Sequence, residues 1–495
     1  MIAILIAVSG FLLFHNLGGK PFRIWDESRL ACNSLEMYRD GFSIVPTFDD
    51  EPDMWNTKPP LLIWIQTASI HLFGISEWSL RLPSALAGLA VTLILFAFLK
   101  NLTRDPAIAL LGALIPLLSP GYLNFHNVRS ADYDALLVLL TLGFSLAFLL
   151  YTSEKRVRHL YLTGILITLA LLTKSTAALL PLPGLLIWAL VQKKPHTIIK
   201  SKHFWISAAI VVAGTGAYYL LREQLNPGYL KAVDANEISG RFLEVNDGNT
   251  GDHWYYLRML MKSRFRYWFW ILAASIPLSL LNPTGKIRRV ALWSIIQWSI
   301  YLLVISIART KLRWYDLPAY PFMAVTIAAA FHTLFTWSGK LRLCARKPSA
   351  CKIIRAVLIL GLITAPLIEA SKFVTTLKEY PWDEELYEVQ YLLKDNIEGR
   401  QNLADFALVH EVLYQRTMFY LNHSAMVGKP MHRLWLDAAK TGNHLIVTNQ
   451  SQMDSLQDRF FITPAMETPY PSLKLIRLDS LKQPVTFTKS AEEIL

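Results

Sequence analysis

"FDDEPDMWNTKPPLLIW", residues 48–64, decides how the chain is arranged. Four acids fall within its first six positions, Lys58 and two prolines follow, and the run then turns apolar. The apolar part, residues 61–74, either crosses a membrane or lies against one. Every later segment changes sides between those two arrangements.

A membrane is expected from composition. The 495 residues are 53% hydrophobic and 17% charged, with a mean hydropathy of +0.32; soluble chains carry about a quarter charged residues. Besides 61–74, apolar runs occupy 1–14, 82–99, 107–123, 133–150, 160–173, 176–191, 204–221, 266–282, 291–308, 316–335 and 356–371. At about 1.5 Å per helical residue, such runs approach the roughly 30 Å of a hydrocarbon core. The first lacks a basic leader and a small-residue cleavage site, so it reads as a retained helix.

Basic residues choose between the two arrangements. Loops 100–106, 151–159, 192–203, 283–290 and 338–355 hold 18 lysines and arginines against two acids, Asp105 and Glu154. The positive-inside rule puts this set in the cytoplasm. It also accounts for the net charge of +12 without a nucleic-acid partner. Residues 61–74 then cannot cross. They follow Pro-Pro, which suits a helix beginning, and read as an interfacial or re-entrant helix on the outer face.

The expected fold is therefore an α-helical polytopic membrane protein with about eleven transmembrane helices and one interfacial helix. A membrane domain would span 1–371, with outer loops at 15–81 and 222–265. Residues 372–495 read as a small extracytoplasmic α/β domain. There "YPWDEELYEVQYLLKDNIEGR" has helical periodicity, while "HLIVTN" and "LKLIRLD" look like short buried strands.

With that topology, five charged motifs share the outer face: "WDES" (25–28), "TKPP" (57–60), "RSADYD" (129–134), "LLTKS" (171–175) and "RTKLRWYDLPAYP" (309–321). Ionisable groups beside apolar spans are costly and mark cavities. Asp26 and Asp134 are the candidate catalytic carboxylates, one as general base on a hydroxyl. Lys58, Lys174, Lys311 and Arg313 are candidate phosphate ligands, with Glu27 and Asp132 beside them in the substrate site. Carboxylates and a phosphate can share a divalent cation, and the identity of any metal ligand stays open. No GxGxxG or GxxxxGK[ST] is present, so no nucleotide cofactor is expected. Taken singly, Asp26-Glu27 reads as a helix cap, and Lys58 and Lys311 as lysines reaching for the membrane surface. The five together point to a site for an anionic substrate.

"WDESRLACNSLEMYRDGFSIVPTFDDEPDMWNTKPPLLIW" resembles the first outer loop of GT-C glycosyltransferases of the ArnT-like and protein O-mannosyltransferase group (glycosyltransferase family 39 and its relatives). "RLPSALAG", "DYDALLVLLTL", "LLTKSTAALLPLP" and "TKLRWYDLPAYPFMAV" resemble further family segments in the same order. The resemblance implies transfer, with inversion, of a sugar from a polyprenyl-phosphate donor. The acceptor would be a lipid, glycan or protein at the extracytoplasmic face; in a bacterium that is the periplasmic face of the inner membrane. By the same resemblance Asp26 matches the catalytic acid of the Asp-Glu pair and Asp134 the second acidic position. Lys58 matches the donor-phosphate lysine, and Lys311 with Tyr315 the Lys…Tyr before Leu-Pro. Thr57 departs from the pattern, because some members carry a candidate metal-binding Glu there. A transporter or flippase for a lipid-linked or anionic solute is the rival reading, but it lacks paired repeat halves.

Overall fold

The computed structural model describes all residues except 24, 125, 238–249, 340–347, 377–383, 411–414 and 483–495. Much of the basic run in loop 338–355 and part of the expected outer loop 222–265 lie outside the described residues. Contacts divide the chain into two units, one of residues 1–20 and 36–377, the other of 21–35 and 378–495. Residues 21–35, expected within the first outer loop of the membrane domain, thus group with the carboxyl-terminal residues.

The first unit is helical and built for a membrane. Among the described residues, seven helices are long and apolar enough to cross. They are Glu77–Thr103, Asp134–Glu154, Val157–Leu179, Lys202–Leu225, Gly285–Ile307, Arg313–Ser338 and Ser349–Thr375. Four other expected spans fall on shorter apolar helices, Ile2–Phe14, Pro106–Leu117, Leu182–Val191 and Phe269–Leu280. Prolines explain part of the shortening, because an apolar run continues through a proline whereas a helix falters there. Pro181 immediately precedes one of these helices, and Pro116 and Pro277 sit near the ends of two others. The expected interfacial segment forms a 13-residue helix, Leu61–Phe73. That is about 20 Å long, short of a hydrocarbon core. It starts after Pro60 and stops at Gly74, whose φ of 81° suits glycine. Gln66 and Ser69 donate to the carbonyls of Leu80 and Ser79, tying it to the next helix.

Helix packing follows membrane rules, in which small residues let backbones approach. A Cβ on Gly164 would meet Ser207 Oγ at 2.4 Å, and one on Gly214 would meet Thr168 at 2.7 Å. These two glycines bring helices 157–174 and 202–225 together. The break expected around Lys174 is present: the α-helix stops there, Ser175 takes φ 47°, and a 3-10 turn Ser175–Leu179 follows. Arg129 ends the first helix by donating to the carbonyls of Leu12 (2.8 Å), Leu13 (3.0 Å) and His15 (2.7 Å).

The second unit carries a five-stranded sheet of order 432–434, 406–409, 444–447, 474–481, 460–466. The first three strands are parallel and the last two pair antiparallel. The helix and both strands expected from the sequence are present, at Glu384–Glu398, His444–Val447 and Lys474–Leu481. Residues 21–35 are held here by side chains far along the chain. The Phe22 amide donates to Tyr420 Oη at 3.1 Å, its carbonyl accepts from Gln390 at 2.8 Å, and its ring meets Phe419 edge-on at 4.8 Å.

Candidate active site

The loop bearing Lys58 is pinned from below before it can present anything. Arg222, fully buried near the end of its helix, donates to the Asp53 carbonyl at 3.1 Å and lies 4.8 Å from the Tyr229 ring centroid. Tyr229 Oη donates to the Thr57 carbonyl at 2.7 Å, and Asn236 donates to the carbonyls of Met54 and Trp55 at 3.3 Å. Asp53 caps its own turn by accepting from the amides of Trp55 and Asn56. Lys58 therefore leaves a rigid backbone. Its ammonium lies 5.6 Å from the Tyr133 ring centroid and 3.5 Å from Glu237 Oε1, with both members of the pair 5% exposed.

A second buried pair faces the same region. Asp134 opens helix 134–154, and its carboxylate contacts the Lys174 ammonium directly, the two being 3% and 6% exposed. Lys174 also lies 5.7 Å from the Tyr315 ring centroid. Asp134, Lys174, Tyr315, Glu237, Tyr301 and Thr310 line one cavity with about 620 Å³ of empty space. Chain order places these groups far apart; the break after Lys174 and the 3-10 turn at Tyr315 bring them to one chamber.

Asp132 lies just before this cavity. Its carboxylate contacts His126 Nδ1 and accepts from the Tyr133 amide at 2.6 Å. Burial alone would raise its pKa, but the His126 and Lys174 charges and the Tyr133 amide hold it below the usual carboxylate value. His126 takes φ 57° and stacks on Trp314, ring centroids 3.6 Å apart. Such left-handed backbone outside glycine is costly and collects at functional positions.

Two expected phosphate ligands behave otherwise. Lys311 donates to the carbonyls of Ile305 (3.1 Å), Ser306 (2.6 Å) and Ala308. It closes the end of helix 285–307, where a cation complements the helix dipole, and it does not line the cavity. Arg313 is exposed and makes no ion pair among the described residues. In the second unit, Asp26 begins helix Asp26–Asp40 and is partly exposed. Buried Glu27 accepts from the Arg23 amide at 2.9 Å, and Trp25 between them has φ 71°.

Next to the charged cavity is an apolar cleft with about 1100 Å³ of empty space, lined by residues such as Leu160, Ile167, Leu182, Leu186, Ala208 and Val212. Neighbouring chain positions line the two: Ala177 and Leu180 face the cavity, Leu179 and Leu182 the cleft.

Comparison with known proteins places the fold. Over 96% of its length the chain superposes on 97% of ArnT from Cupriavidus metallidurans bound to undecaprenyl phosphate, with a TM-score of 0.70 at 15% identity. The chain has the GT-C fold. Residues 57–217 match the family model described as dolichyl-phosphate-mannose-protein mannosyltransferase, a stretch that holds Lys58, Asp132, Asp134 and Lys174. An uncharacterised protein of Aquifex aeolicus is 25% identical over 327 residues, 64% of this chain and 61% of that one. The undecaprenyl phosphate-alpha-4-amino-4-deoxy-L-arabinose arabinosyl transferase of Edwardsiella ictaluri is 25% identical over 338 residues, 67% of this chain and 59% of its own. The chain thus spans about six tenths of the length of the curated relatives it matches. These matches bear out the resemblance drawn from the sequence motifs.

Of the expected site residues in the first unit, the GT-C fold gathers Asp134, Lys174 and Tyr315 around one cavity, with Lys58 reached through Glu237 and Asp132 alongside. His126 and Glu237 went unnoticed in the sequence. His126 had a signal, since it stands six residues before Asp132 in the short stretch between helices 120–123 and 134–154. Glu237 had none, because it lies in a polar stretch 180 residues from Thr57.

Proposed function

We propose that the protein transfers a sugar from a polyprenyl-phosphate donor to a lipid, glycan or protein acceptor at the outer face of a bacterial inner membrane. The observation that carries this reading is the buried ammonium of Lys174 in the lining of a charged cavity, with a second, Lys58, paired to the cavity's Glu237, and an apolar cleft lined by neighbouring chain positions. A polyprenyl phosphate has the same two parts, an anionic head and a long apolar chain. Buried lysines hold a phosphate as point charges and stabilise it as it leaves. The cleft offers the chain an apolar wall of the kind ligand pockets use. The fold likeness to a protein bound to undecaprenyl phosphate agrees with it.

In this reading the acceptor attacks the anomeric carbon from the side opposite the phosphate. A new bond to the sugar forms as the bond to the phosphate oxygen breaks, and the configuration inverts. Asp26 takes the acceptor proton, a role that rests on the resemblance of residues 25–64. Asp134 holds Lys174 in place, and Tyr315 walls the cavity beside it. The phosphate charge is met by ammonium groups. A positioned base contributes about 10²- to 10⁴-fold in rate. Purified protein in proteoliposomes should therefore move radiolabel from a polyprenyl-phosphate sugar to envelope acceptors. Asp26→Asn should lower that transfer by at least about 100-fold while leaving donor binding intact. Donor translocation across the bilayer without glycosidic transfer would replace this reading with a flippase.

A further inference from the structure

We propose that Glu237 is a built-in stand-in for the donor phosphate: its carboxylate holds Lys58 in the donor-free protein and must leave when the donor arrives. The inference rests on the phosphate-binding reading of Lys58 given above.

The argument begins with charge. Glu237 lines the cavity together with Asp134 and Lys174 and reaches Lys58 from there. Of the charged groups in the lining and Lys58, two ammonium groups and two carboxylates cancel, while Asp132 outside the lining has its own contact with His126. A sugar phosphodiester adds one negative charge, and an uncompensated charge in a buried site is strongly unfavourable. Displacing one carboxylate restores the balance. Asp134 cannot be the one that leaves, because it sits in direct contact with Lys174 at the first turn of a long buried helix.

Glu237 is held differently. Its distance to Lys58 is 3.5 Å and its contact with Thr57 Oγ1 is also 3.5 Å. Charge-assisted hydrogen bonds run at about 2.7–2.9 Å, so this pair is loose. Glu237 lies in a π-type stretch, 234–237, that follows the five-residue helix Tyr229–Val233, and its long side chain can turn away from Lys58 with no direct contact to break. Among the described residues, Glu237 is the carboxylate within ion-pair distance of Lys58. The pair keeps a buried ammonium neutralised until a phosphate takes it over.

A competitor of this kind lowers apparent affinity by the fraction of molecules in which the site is free. Removing it should tighten binding. Undecaprenyl phosphate binding to the full-length protein in nanodiscs should strengthen at least about fivefold in Glu237→Gln, and weaken at least about tenfold in Lys58→Met. Thr57→Val, which loosens Glu237 without touching either charge, should shift affinity in the same direction as Glu237→Gln; it serves if the glutamine variant fails to fold. Unchanged or weaker binding in both Glu237→Gln and Thr57→Val, with the loss in Lys58→Met intact, would overturn the stand-in role alone. Unchanged binding in Lys58→Met would instead remove the phosphate reading of Lys58, and this inference with it.

Discussion

Lys174 and Asp134 illustrate how a buried charge constrains its neighbour. Deleting one member leaves the other unpaired in a nearly sealed site, which typically costs about 3–5 kcal/mol. Asp134→Asn should therefore lower the melting temperature in detergent markedly. The double variant Asp134→Asn, Lys174→Gln should recover most of that loss without recovering sugar transfer. Near-wild-type melting of Asp134→Asn would remove the ion pair from the account. Asp132 offers a test by pH. Its carboxyl sits below its ordinary value in the folded protein, so the stabilisation it supplies is complete above the unfolded value, about 4. That stabilisation fades as pH falls through the lower folded value. The melting-temperature gap between wild type and Asp132→Asn should narrow as pH falls below about 4; a gap that widens there would reverse the assignment. These residue types were legible as a set, because carboxylates and lysines abutting apolar runs are rare enough to stand out. Their individual tasks were less so. Lys311 reads like a ligand by type, yet three carbonyls at a helix end hold it. The clue was its place just after an apolar run, where lysine closes helices.

Among the elements, the cleft between helices 157–174, 182–191 and 202–225 gives the reading of the donor its second test. Ala208→Trp would fill the cleft from helix 202–225. Transfer from a long polyprenyl donor should fall, with KM rising several-fold, while a short-chain phosphate donor should be little affected. Equal losses for both would place the chain elsewhere. Orientation is an element-scale matter too. Basic residues put 338–355 in the cytoplasm. A cysteine at Asp50 is expected to react with an impermeant thiol reagent added outside, and one at Ser349 only after the membrane is opened. Labelling at Ser349 from outside would invert the topology. Periodicity and run length made the long helices legible. They overstated the lengths of Pro106–Leu117, Leu182–Val191 and Phe269–Leu280, because hydropathy averages over prolines that a helix has to accommodate.

At the scale of the whole molecule, the unit built from residues 21–35 and 378–495 was not legible as such. Strand patterns marked its sheet, but nothing in residues 21–35 says that Phe22 will be bonded by Gln390 and Tyr420. That discontinuity has a consequence in time. A ribosome adding about 5–20 residues per second needs on the order of 20–70 s to make residues 36–377. Throughout that interval the segment carrying Asp26 exists without the partners that later bury it. Cys32 reports on the wait, since it is a free thiol, fully buried, and accepts from Asn422 in the finished chain. Ribosome-bound chains stalled before residue 378 should expose Cys32 to alkylation, and released full-length chains should protect it. Protection in the stalled chains would mean that the early segment settles before its sheet exists. Exposure would make the Asp26 segment one of the last parts of the protein to take its place, so that no nascent chain acquires its proposed base before translation is nearly finished.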